Sequence, residues 1–156
     1  MKRINKLLPT AMLALKDSGL ILLDGKSILK EYDGYVASFA PSVITAGLKA
    51  TLSFYTDRHK FKEKESDMPD YSKKHGHPTR RAHILSILYE IYQSVDGKLE
   101  GGNLLEIALV TKPDQERQLK KDLVNCAIAL KLVMRNFKQV ESVPKPKSDN
   151  QNETAL

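Results

Sequence analysis

The stretch KPDQERQLKKDLVNCAIALKLVMRNF, residues 112–137, decides the fold class. Leu119, Leu123, Cys126, Leu130, Val133 and Phe137 recur at spacings of four, three, four, three and four. A helix turning once every 3.6 residues or about that lays such positions on one stripe. The segment opens at Lys112-Pro113-Asp114 and reads as the seam helix of a bundle. Its remaining positions are mainly polar, as one solvated face requires.

Moving outward from this helix, the same period recurs. Ile84, Ile87, Leu88, Ile91 and Val95 define a buried face for a helix over residues 80–95, ended by Asp96-Gly97. A short helix is expected around residues 104–109. Near the start, Ile4, Leu7, Leu8, Ala11, Met12 and Leu15 share one helical face, with Gly19 as a stop. This segment resembles a signal peptide only superficially. Pro9 and Thr10 break its apolar run, and its amphipathic pattern is that of a packed helix. Pro9 lacks a backbone donor, so it either kinks this helix or marks a first turn. LILLDG, residues 20–25, reads as a connector packed on the core, with a short strand as the alternative.

Pro41 sits at the first turn of a new helix or kinks a continuous one. Ile44, Leu48, Leu52 and Tyr55 are expected to face inward. Gly47 inside such a helix costs about 1 kcal/mol against Ala, which predicts a second helix approaching closely there. Residues 57–79 carry Arg58, Lys60, Lys62, Lys64, Lys73 and Lys74 against acids that include Glu63, Glu65, Asp67 and Asp70, with Pro69, Gly76 and Pro78. No helical period survives in them, so a mobile, exposed, Lys-rich loop is expected. The expectation is an all-α, compact bundle of five or six helices over residues 1–140, followed by a disordered polar tail over residues 141–156.

Composition narrows the function classes. No apolar run approaches the length of roughly 18 residues that a membrane span needs. The single cysteine forms no intrachain disulfide, and the cytoplasm is the expected compartment. A formal charge of +6 points to a polyanionic partner, nucleic acid first.

A search for chemistry turns up little. His75 and His77 lie beside Gly76 and Pro78 with no Cys or carboxylate at a familiar ligand spacing, and His83 sits on a helix rim near Ile87. Cys126 occupies a seam position, unlike a nucleophile, which needs an electropositive and partly open setting. The glycines form no phosphate-cradling loop. No enzymatic activity, cofactor, metal or small-molecule substrate is therefore expected.

Basic residues remain as candidates for phosphate contact. Lys131, Arg135 and Lys138 stand at i, i+4 and i+7 and are expected on one exposed face of the last helix. Arg80 and Arg81 begin another helix, and Lys49 and Arg58 bracket TLSFY. Long cationic side chains of this kind bind a backbone without reading bases. Tyr35, Phe39, Phe54, Tyr55, Tyr89 and Tyr92 fall in or beside apolar faces, which argues against a platform of stacked bases.

One segment carries a resemblance. YDGYVASFAPSVITAGLKATLSFY, residues 32–55, contains Gly34-Tyr35-Val36-Ala37-Ser38-Phe39 leading to Gly47-Leu48-Lys49-Ala50-Thr51-Leu52-Ser53-Phe54-Tyr55. It resembles the small subunit of the type III-B (Cmr) CRISPR effector complex, in which a Gly-Tyr-(Val/Ile)-x-Ser-Phe run leads to Gly-Leu-x-x-Thr-Leu-x-Phe-Tyr. Leu7-Leu8-Pro9 and a basic amphipathic last helix fit as well. Ala40 departs from the pattern, where Gly is the commoner residue, and residues 57–79 match nothing in it. The resemblance implies a helical bundle without catalytic function. Copies would stack head to tail beside the subunits that hold the guide RNA and line the path of the target RNA, in antiviral defense. Its implied partners are the other Cmr-complex subunits, further copies of itself, and guide and target RNA. A helix-turn-helix DNA-binding regulator, using the helix at Arg80 or Pro113, and a protein-only helical adaptor are the rival readings.

Overall fold

Helices occupy the segments whose apolar residues recur at helical spacing. The computed structural model describes residues 2–56, 79–96 and 103–141, with backbone alone for Lys2, Val95 and Asp96. In chain order these are α1 (Lys2–Asp17), β1 (Ser27–Leu29), α2 (Lys30–Ala46), α3 (Leu48–Thr56), α4 (Arg80–Asp96), α5 (Leu104–Val110), α6 (Pro113–Met134) and β2 (Lys138–Val140). Six helices among the described residues make the chain all-α, as its periodicity predicts. Among these residues no helix is long and apolar enough to cross a membrane. The Lys-rich loop and the polar tail, apart from Thr79 and Glu141, lie outside the described residues, as does Arg58.

α6 is the hub. It packs most extensively on α1 and α2, and also on α4. Its inward stripe is the one read from the sequence: Leu119, Leu123, Cys126, Leu130 and Val133 are all buried. The stripe ends one turn early. The helix stops at Met134, where the amides of Asn136 and Phe137 turn back onto the carbonyls of Val133 and Met134. Phe137 therefore reaches the core from a turn. Leu7, Ala11, Ala14 and Leu15 of α1 are buried, and Pro9 lies inside that helix on its exposed side.

The α2–α3 pair corrects two expectations. α2 runs through Pro41, and its buried line is Tyr32, Val36, Phe39 and Val43. Ile44, expected to face inward, is 69% exposed. Gly47 is the reason: it adopts φ 93° and breaks the helix, so α3 restarts in a new phase with Leu48, Thr51, Leu52 and Tyr55 buried. A Cβ added at Gly47 would meet nothing within 4 Å. Conformation requires glycine here, and the predicted close helix approach does not.

The residues of the resemblance clasp these two helices together. The Tyr55 hydroxyl donates to the Tyr35 carbonyl at 2.6 Å and lies 2.8 Å from the Ser38 hydroxyl. Phe39 meets the Tyr55 ring edge to face at 5.5 Å. Burial raises the Tyr55 phenol above its ordinary pKa, opposed by the Ser38 hydrogen bond.

One element was not predicted. β1 and β2 form a two-stranded parallel ladder pairing Ser27 with Lys138, Ile28 with Gln139 and Leu29 with Val140. Ile21 bridges Ile28 from the other side, so the short-strand alternative for LILLDG survives as one bridge. Leu20 and Ile28 are buried beneath it, while Leu23 at the turn is fully exposed.

Candidate nucleic-acid interface

The ladder has a consequence for charge. Residues 22–27 fold into a tight turn: Leu22 N donates to the Ser27 carbonyl at 2.8 Å, and Gly25 N to the Leu22 carbonyl at 2.9 Å. Asp24 organises it. Its Oδ1 accepts from the amides of Lys26 and Ser27, each at 2.9 Å, and its Oδ2 from the Ser27 hydroxyl at 2.6 Å. The Ser27 hydroxyl and the Lys26 amide hold this carboxyl below its ordinary pKa. With both oxygens bonded to the turn, Asp24 fixes the backbone from which Lys26 projects.

The Lys138 amide donates to the Lys26 carbonyl at 2.9 Å, which brings the backbones of these two residues together. Lys30 follows β1 immediately, and Arg135 caps the end of α6 three residues before Lys138. Lys26, Lys30, Arg135 and Lys138 are all exposed. None of the ion pairs among the described residues involves them. Their neighbouring acids along the chain are Asp24, already bonded to the turn, Glu31 and Asp33, which face Arg80 and Lys131, and exposed Glu141. The ladder thus joins the two chain segments that carry these four exposed cations.

Of the seven basic residues singled out from sequence, Arg58 lies outside the described residues and the other six are not brought together. Arg135 and Lys138 stand in this cluster, although they do not share a helical face with Lys131, because α6 ends at Met134. Lys131 turns inward, half-buried, to bind Asp33 in the first turn of α2. Lys49 is exposed, with its Nζ 3.9 Å from Glu116. Arg80 is buried, 3.9 Å from Glu31 and 6.0 Å from the Tyr32 ring centroid. Arg81, partly exposed, lies 5.0 Å from the Tyr35 ring and 4.8 Å from the Phe54 ring. Lys26 and Lys30 went unnoticed because nothing local distinguishes them. Only pairing across more than a hundred residues places them beside Arg135 and Lys138.

His83 is fully buried against this same end of α1 and α2. Its Nε2 lies 2.8 Å from the Ser18 carbonyl and its Nδ1 3.3 Å from the Tyr32 hydroxyl. The Ser18 carbonyl only accepts, so Nε2 donates to it, while Nδ1 faces a hydroxyl that can donate or accept. Among the described residues, no three His, Cys, Asp or Glu side chains converge as metal ligands would. No protein-family model, curated protein or solved structure matches the chain.

Proposed function

We propose that the chain is a non-catalytic, cytoplasmic small subunit of a type III-B CRISPR ribonucleoprotein effector, lining the target-RNA path with a basic surface. The observation that carries this reading is the cluster of Lys26, Lys30, Arg135 and Lys138 at the ladder end. Long cationic side chains on rigid backbone suit sequence-independent contact with phosphates. The all-α architecture agrees with what the resemblance in residues 32–55 implies, and so does the structural role of Tyr35, Ser38, Phe39 and Tyr55. Copies stack alongside the guide-RNA backbone, and target RNA is held weakly by each copy and firmly by several.

A DNA-reading alternative would use α5 and α6, which are joined through Thr111 and Lys112 alone. The first turn of α6 carries Asp114 and Glu116, the wrong sign for the leading end of a helix entering a groove between phosphates.

The test is recovery of a tagged chain from its native host, followed by sequencing of the co-purified RNA. CRISPR-derived guide RNA and the other effector subunits are expected. Their absence from a folded, soluble preparation would overturn the proposal.

A further inference from the structure

A groove of about 480 Å³ opens where the first turns of α1 cross the first half of α6, bordered by Tyr92 of α4. It lies near the start of α1, whereas the ladder follows the far end. The two are separated by roughly 20 Å of helix, given a rise of about 1.5 Å per residue. Its volume suits a small organic ligand and exceeds what a bare ion fills.

Three kinds of chemistry line it. Leu7, Tyr92 and Cys126, all buried, supply an apolar floor. Arg3 and Lys6 of α1, both exposed and three residues apart, stand on one wall. No ion pair among the described residues engages either. The α6 side is polar but mostly uncharged: Gln118, Asp122 and Asn125 follow at spacings of four and three along that helix. Gln118 Nε2 donates to Asp122 Oδ1 at 2.8 Å. The Asn125 side-chain amide has no hydrogen-bond partner among the described residues, so its donor and its acceptor are both available to a ligand.

We infer that this groove binds one nucleoside monophosphate unit, its phosphate on Arg3 and Lys6 and its base against the Gln118–Asp122–Asn125 wall. Cations alone would serve any anion. The amide and carboxylate wall matches the edge of a base, and the floor covers its apolar surface. An asparagine amide pairs well with an adenine edge, accepting from the amino group and donating to a ring nitrogen. Asp122 accepts from an exocyclic amino group as well, whereas it faces the O4 carbonyl of uracil with like polarity. Adenine and cytosine are therefore favoured over uracil. The unit is a free nucleotide or one residue of a strand. The strand form rests on the proposed RNA role; the free form does not.

The experiment is a titration of isotope-labelled full-length chain, followed by the side-chain amide signals of Asn125 and Gln118 in NMR spectra. The probes are AMP, UMP, ribose 5-phosphate, inorganic phosphate and an adenylate hexamer. AMP is expected to move both signals and to bind about five- to tenfold more tightly than UMP or ribose 5-phosphate. Asn125→Leu should erase that preference while leaving ribose 5-phosphate binding intact. Should that variant fold poorly, Lys6→Gln, on an exposed side chain, should weaken AMP and ribose 5-phosphate alike. Ribose 5-phosphate matching AMP would overturn base recognition, and unmoved signals with both AMP and the hexamer would overturn the site. Movement by AMP alone assigns it to free nucleotides; movement by the hexamer also assigns it to strands. Neutralising the ladder cations should weaken the hexamer without altering AMP at Asn125, which separates failure of the groove from failure of the RNA reading.

Discussion

His83 has no exposed surface, and both its ring nitrogens meet a partner. Replacing it with Leu leaves the Ser18 carbonyl and Tyr32 hydroxyl buried without it, at about 1–3 kcal/mol for each group stranded. The expected outcome is a lower denaturant midpoint with an unchanged slope; an unchanged midpoint would contradict the assigned hydrogen bonds. Arg80 belongs with it. Its guanidinium is buried between Glu31 and the Tyr32 ring, so Arg80→Ala is expected to lower thermal stability while leaving the proposed RNA contact of the folded protein unchanged. Tyr55 adds a pH dependence. Its phenol has a raised pKa when folded, so the folded state holds that proton more tightly than the unfolded chain does. Its contribution is fully present below the unfolded value of about 10 and is lost as pH rises through the folded one. Tyr55→Phe should cost about 1 kcal/mol at neutral pH and show a shallower loss of stability in alkali, read from urea unfolding across that range.

At the scale of elements, the α2–α3 junction is the decisive joint. Gly47, at φ 93° and ψ 162°, occupies a region that side chains disfavour. Nothing crowds its Cβ position. Gly47→Ala should therefore cost about 1–3 kcal/mol through backbone strain alone. A cost near zero would mean that α2 and α3 can fuse into one helix, turning the Leu48–Tyr55 face out of phase with the core. This joint also marks where sequence reading stops. The α6 stripe was legible because Leu119 to Val133 repeat locally on one face, and the same holds for α1 and α4. Ile44 was misplaced because periodicity alone does not reveal a change of phase at a glycine. The β1–β2 ladder was illegible for a different reason: two three-residue strands carry no pattern of their own, and their pairing depends on how α2 and α6 dock. Lys26 and Lys30 inherited that blindness. Lys131 misled for a related reason, since its position follows the helical period while its direction is set by Asp33 on another helix.

For the whole molecule the question is which cations a polyanion would feel. A positive formal charge of +6 does not identify them. Lys49 and Lys131 already face Glu116 and Asp33, and Arg80 faces Glu31, so phosphate would have to compete with a carboxylate inside the protein. The ladder cluster faces water, and its cations hold counterions only loosely. For a single strand, each neutralised phosphate adds about −0.7 to the slope of log affinity against log salt. Converting Lys26, Lys30, Arg135 and Lys138 together to Gln should therefore flatten that slope by about 3 if each meets one phosphate. Lys49→Gln should leave it nearly unchanged. Both are measurable by fluorescence anisotropy of a labelled single-stranded RNA between roughly 50 and 200 mM salt. Because all four side chains are exposed, the variant is expected to keep its helical circular dichroism, so a flatter slope reports lost phosphate contacts in a folded protein. An equal slope in the variant and the parent chain would remove the ladder end as the RNA-contacting surface.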